Sequence, residues 1–227
     1  MLLGWFVFGP SIWILIPALL LSIYAQWRVR STYNRYARVP SKSGVTARGA
    51  VTRILSNAGI SDVSVESVGR PLADHYDPRK KVLRLSATDS PSIAAIGVAA
   101  HEAGHAIQHA RSFAPLTLRT AIVPIANFGS QLALPLFFVG LIFQANVLVT
   151  AGIALFSAAV LFTLVTLPVE FDASRRAVAA LRDNAIIGTE ELGAVKEVLF
   201  AAALTYVAAA AVAALQLVLL LGLGRRR

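Results

Sequence analysis

Apolar positions gather into four long blocks along the chain, at about 5–26, 120–143, 147–168 and 198–223. A helix rises 1.5 Å per residue, so each block is long enough to cross a hydrocarbon core of about 30 Å. Four transmembrane helices are the simplest expectation. Between the first two blocks the periodicity changes. Val45, Val51, Ile54, Leu55 and Ala58 recur at roughly helical spacing within Ser43 to Ala58, and Gly59 follows as a helix stop. Two short alternating stretches come next, Val63 to Val68 and Lys81 to Ser86. They are joined by Gly69, Arg70, Pro71 and the polar segment Asp74 to Arg79, and predict a small sheet or hairpin.

Ser90 followed by Pro91 predicts a helix start, because a serine hydroxyl caps free amides and proline at the first helical position loses no hydrogen bond. This helix should run from Pro91 to about Arg111. Ala94, Ala95, Gly97, Ala99, Ala100, Ala103, Gly104, Ala106 and Ala110 make it a thin rod that other backbones approach closely.

Composition reinforces the membrane reading. Hydrophobic residues make up 56% of 227, too many for an ordinary soluble protein of this length. The first block reads as an uncleaved anchor rather than a signal peptide. No basic residue precedes it, and Tyr24, Gln26 and Trp27 stand where a small-residue cleavage site belongs.

The formal charge of +9 raises the question of nucleic acid, and its distribution answers it. Arg28, Arg30, Arg35, Arg38, Lys42, Arg48 and Arg53 form a cluster with no acid among them, directly after the first span. Such clusters mark the cytoplasmic side and favour anionic lipid. No nucleic-acid motif is present, so the expected partner is the lipid bilayer. The expected topology puts the N-terminus outside, 28–119 in the cytoplasm, a short outer turn near Gln144 to Asn146, 169–197 inside and the C-terminus outside. Arg225, Arg226 and Arg227 run against it, outweighed by the seven charges after the first span. With no cysteine in the chain, any metal must be held by histidine and carboxylate.

His101, Glu102, Ala103, Gly104 and His105 spell H-E-x-x-H on the expected helix. Positions four apart differ by about 40° in azimuth, so both imidazoles face one way and suit a single Zn²⁺. Glu102 lies beside that face, placed to take a proton from metal-activated water. A catalytic zinc commonly has three protein ligands. Glu170 is the leading candidate for the third, because an acid at the inner mouth of the third span is costly unless paired or coordinated. The tight hairpin of spans two and three brings the two segments to one membrane face. Asp172 is the rival, about 200° round a helix from Glu170. Ser174 shares the face of Glu170 and is placed to orient it through a hydrogen bond. His109 lies about 12 Å along the axis from His101, which favours a supporting or capping role over ligation. Candidate oxyanion donors are His75, Tyr76, Arg175 and Arg176. The stretch 74–86 ends in an expected edge strand, able to pair with an extended substrate or to serve as a surface hairpin.

These residues resemble the YugP-type family of membrane zinc metallopeptidases. The likeness spans nearly the whole chain: DHYDPRKKVLRLS at 74–86, AAHEAGHAIQHA at 99–110, PVEFDASRRA at 168–177 and AAALTYVAAA at 201–210, in order. It implies a gluzincin-like peptidase with Glu170 as the third ligand. The chain is also distantly similar to HtpX-type membrane peptidases, whose comparable segment has an aspartate four residues after the ligand glutamate; Ser174 stands there here.

The fold class expected is a mainly α integral membrane protein with about four transmembrane helices and a small α/β cytoplasmic zincin-like region carrying the H-E-x-x-H helix. Its parts are a 1–27 anchor, a 28–119 zincin-like region, a 120–168 hairpin, a 169–197 third-ligand segment, and a 198–227 helix with basic tail. The expected activity is zinc-dependent endopeptidase action, with one Zn²⁺ per chain, on membrane-associated proteins or peptides at the inner face of a bacterial-type membrane, in a quality-control role. A site-2-type intramembrane protease fits less well, because no later span carries a matching Asp-Gly segment. The remaining alternative is a zinc-stabilised scaffold or adaptor without turnover.

Overall fold

The computed structural model describes residues 12–70 and 73–225. A short 3₁₀ turn at Ile12–Ile14 leads into α1 (Ile16–Tyr36), followed by α2 (Ala47–Asn57), β1 (Ser64–Ser67), β2 (His75–Asp77), β3 (Val82–Leu85), α3 (Ile93–Ala110), α4 (Ala114–Ile142), α5 (Asn146–Asp183) and α6 (Leu192–Arg225). The protein is mainly helical with one small sheet. Among the described residues α4, α5 and α6 are long and apolar enough to cross a membrane. The first expected span, 5–26, lies partly outside the described residues.

The chain forms two compact units. One holds Leu118–Leu167, the chain from Thr205 onward and the described residues up to Ala25. Its centre is a helical hairpin whose three-residue turn includes Gln144 at φ 57°. Glycines let the two backbones touch: a Cβ on Gly152 would stand 2.7 Å from the Ala133 carbonyl oxygen, and one on Gly140 2.6 Å from the Val149 nitrogen. Ala133, Phe137, Val149, Phe156, Val160 and Leu220 form the buried core. Ile125, Phe128, Ile142, Val147 and Leu161 face outward, a surface suited to lipid rather than water.

The second unit holds Gln26–Thr117 and Pro168–Leu204. α2 starts where Thr46 Oγ1 accepts from the Gly49 amide, and ends at Gly59, whose φ of 73° is the left-handed stop its sequence suggests. Its apolar stripe, Val51, Ile54 and Leu55, packs with Leu83 and Leu85 of β3 and Ile96 of α3.

The sheet differs from a simple hairpin of the two alternating stretches. β1 and β3 pair in parallel, and the polar joining segment contributes β2, which pairs antiparallel with β3 in the order β1-β3-β2. The stretch 81–86 is thus the central strand, and the expected edge moves to His75–Asp77. Asp77 causes this. Its Oδ1 accepts from the Arg79 and Lys80 amides, and with Pro78 following it closes a tight turn that folds β2 onto β3. Asp74 seals the other end by accepting from the Ser86 amide and hydroxyl at 2.8 and 2.6 Å.

The start of α3 is also shifted. The cap is Ser92 rather than Ser90: Ser92 Oγ accepts from the Ala95 amide, while Ser90 Oγ donates to Ser92 Oγ. Ser92 pairs with Pro40 in an isolated bridge and the Pro91 carbonyl accepts from the Ser41 amide, which holds this segment extended for two residues longer. α5 continues unbroken through Pro168.

Candidate metal centre

On α3 the azimuths follow from 100° per residue. Taking His101 as zero, His105 lies at about 40°, Glu102 and His109 at about 80–100°, and Gln108 and Gly104 at about −20 to −60°. The first flank meets β2 and the second meets α5, leaving the two imidazoles on the strip between.

The α5 flank is set by Gly104. A Cβ there would stand 2.5 Å from the Ala173 carbonyl oxygen, so only glycine permits this crossing. Glu170 sits three residues before Ala173 and is carried over the imidazoles. Its Oε2 lies 3.2 Å from His101 Nε2 and 3.6 Å from His105 Nε2, with Glu170 itself 2% exposed. One donor atom from each of His101, His105 and Glu170 lies within 4.8 Å of the others. A tetrahedral ion with ligands at about 2.0–2.1 Å separates its donors by roughly 3.3 Å, so this donor set fits zinc.

The far sides of both rings are engaged. His101 Nδ1 is 3.1 Å from Ser174 Oγ, and His105 Nδ1 is 3.0 Å from Gln108 Oε1. Gln108 fixes a tautomer by elimination. Its Nε2 donates to the Val169 carbonyl at 2.8 Å and to Asp172 Oδ2 at 2.9 Å, both pure acceptors, so its oxygen is left to accept. His105 Nδ1 must then carry a proton, and Nε2 faces Glu170. Gln108 is fully buried and absent from the sequence-based candidates. The signal was an amide inside an otherwise apolar helix, three residues after the second histidine.

Asp172 does not join the donor cluster. It is buried and accepts from Gln108, Arg175 and Arg176. Arg175 and Arg176 are therefore engaged with Asp172, and Arg176 also lies over the Phe113 ring at 5.5 Å.

On the other flank the main-chain amide of Tyr76 donates to Glu102 Oε2 at 2.9 Å. Tyr76 lies opposite Leu83 in the sheet register, and its amide points off the free edge of β2. The Tyr76 hydroxyl reaches His109 Nδ1 at 2.9 Å, so the ring spans from Glu102 to the end of α3. Burial, with the Asp62 and Asp77 carboxylates nearby, pushes that hydroxyl up to about 12. His109 is not among the three clustered donors. His75 is exposed, with Nδ1 against the Ala73 carbonyl and Nε2 against Arg84, so it stays apart from the cluster.

Residues 11–225 match a family described as "putative neutral zinc metallopeptidase". The chain is 47% identical over 208 residues to the "putative membrane protease YugP" of Bacillus subtilis (strain 168), covering 91% of this chain and 92% of that one. No solved structure matches it.

Proposed function

The chain belongs to the neutral zinc metallopeptidase family, and from that membership we propose that it is a zinc-dependent membrane endopeptidase cutting peptide bonds beside the cytoplasmic face of a bacterial-type inner membrane. The observation that carries this reading is the buried Glu170 carboxylate facing two imidazoles whose Nδ1 atoms are both engaged elsewhere.

In this reading His101 Nε2, His105 Nε2 and Glu170 would hold one Zn²⁺ per chain, and zinc bound there would acidify water and polarise a carbonyl. Glu102 takes the proton from the attacking water and passes it to the departing amine, so one water is consumed and one acid and one amine are formed. Ser174 and Gln108 keep the imidazole lone pairs aimed at the site. The Tyr76 amide, on a free strand edge, holds Glu102 in place, and the oxyanion donor in this reading is the Tyr76 hydroxyl, which bonds His109 on the same flank of α3 as Glu102.

The rest of the reading keeps four spans, a zincin-like subdomain, and juxtamembrane segments of membrane proteins as substrates in quality control. Three apolar helices and the basic cluster after the first block support it.

The test is cleavage of casein and of a model membrane peptide by the full-length protein, with zinc content measured on the same samples. Glu102→Gln should keep zinc and lose cleavage, and Glu170→Ala should lose both. Undiminished cleavage by Glu102→Gln overturns the assignment. Zinc-replete wild type that cleaves nothing indicates a scaffold.

A further inference from the structure

A groove of about 460 Å³ runs between the 168–183 part of α5 and the 192–204 part of α6, and none of His101, His105 and Glu170 lines it. Two phenylalanines lie toward one end of it and two cations toward the other. Phe171 on α5 and Phe200 and Ala203 on α6 lie at the ends that continue into the long apolar stretches of those helices. Both phenylalanines are largely exposed, at 45% and 58%. Toward the other end stand Arg182 and Lys196, whereas Arg175 lies one turn from Phe171. Arg182 lies eleven residues, or about 16 Å, beyond Phe171, and Lys196 about 10 Å before Ala203.

Arg182 and Lys196 are not neutralised from within the groove. Lys196 has no acidic partner among the described residues. Arg182 pairs with Asp183 at 2.8 Å, both largely exposed, an arrangement that solvent screens and that leaves the guanidinium available. Arg175 reaches the buried Asp172 but remains exposed.

We propose that this groove binds an anionic phospholipid, with its acyl chain against Phe171 and Phe200 and its phosphate between Arg182 and Lys196. Charge complementarity and the order of polarity select this occupant. A lipid has its hydrocarbon at the end nearer the apolar spans and its negative charge at the other, the order in which the groove presents phenylalanines and cations. Basic pockets beside spans recognise headgroups in this way. A second copy of the chain would match the apolar end and leave Arg182 and Lys196 unanswered. Ser174 lines the same groove while contacting His101, so the lipid would lie one side chain from a proposed zinc ligand.

The experiment reads lipid, not peptide cleavage, so its outcome is independent of the peptidase assignment. The full-length protein is placed in nanodiscs of equimolar phosphatidylglycerol and phosphatidylcholine, and retained lipid is counted by native mass spectrometry after release. Wild type should retain phosphatidylglycerol at least tenfold over phosphatidylcholine. The double variant Arg182→Gln, Lys196→Gln should lose that preference, and Arg79→Gln with Lys80→Gln, on the β2–β3 turn, should keep it. A photoreactive residue at Val178, with both cations intact, should crosslink to phosphatidylglycerol in membranes. Equal retention of the two lipids, an unchanged double variant, displacement by glycerophosphate as effective as by lipid, or crosslinking to a second copy or a substrate peptide would each overturn the proposal.

Discussion

The carboxamide nitrogen of Gln108 donates to Asp172 at 2.9 Å, tying the last turn of α3 to α5 next to His105. Arg176 donates to the same carboxylate oxygen and Arg175 to the other. A chain of contacts therefore runs from two guanidiniums through Asp172 and Gln108 to the Nδ1 of a proposed zinc ligand. Replacing Gln108 by leucine keeps much of its bulk and removes the acceptor. We expect zinc affinity to fall about 10- to 100-fold, the usual effect of losing a ligand's supporting hydrogen bond. Competition with a chelator of known affinity measures this, and unchanged affinity would refute the positioning role.

Gly104 and Gly97 sit two turns apart on α3 and should respond differently to alanine. At Gly104 the new methyl meets main-chain carbonyl at 2.5 Å, whereas at Gly97 the nearest atom is a Val195 methyl at 3.4 Å. Gly104→Ala should cost about 1–3 kcal/mol and lower the thermal midpoint, as overpacking does. Gly97→Ala should stay within about 1 kcal/mol, since better helix propensity offsets a tight contact. Thermal unfolding of the two variants in one detergent ranks them.

Zinc itself should stabilise the protein. A ligand that binds only the native state adds RT ln(1 + [L]/Kd), about 2.7 kcal/mol at one hundred times Kd. Stripping with a chelator should lower the thermal midpoint, and zinc should restore it. In Glu170→Ala the restoring shift should vanish.

Tyr76 makes a pH prediction. Its hydroxyl is pushed up to about 12, so it stays protonated and able to donate throughout the neutral and mildly alkaline range. The proton is lost only as pH rises through that raised value. Any alkaline loss of activity below about pH 10 therefore belongs to another group. Tyr76→Phe should lower kcat with zinc content unchanged and leave such an alkaline limb where it was; a limb that disappears in the variant would contradict this.

Glu197 anchors α1 to α6, accepting from Tyr36 at 2.7 Å and Arg28 at 3.0 Å. Glu197→Ala should destabilise by about 1–3 kcal/mol, most of it from the tyrosine hydrogen bond, because ion pairs with solvent-accessible arginines contribute little. The comparison is with Tyr36→Phe, which should account for much of the loss; a much smaller effect of Tyr36→Phe would move the weight to the arginines.

Local chemistry is what the sequence by itself determined. H-E-x-x-H fixes two imidazoles a helical turn apart, apolar runs of twenty residues mark α4, α5 and α6, and Gly59 stops α2, all from spacing within one element. Tertiary structure alone decided relations between elements. Asp77 makes its turn by capturing amides two and three residues on, which turns the joining segment into the edge strand and the expected edge into the centre. The bridge from Pro40 to Ser92 moves the start of α3 two residues along. Asp172 and Glu170 are both acids on one helix, and only the crossing at Gly104 and Ala173 decides that Glu170 meets the imidazoles while Asp172 meets Gln108. Periodicity gives the direction of a side chain about its own helix; what waits in that direction depends on how closely a second backbone can approach.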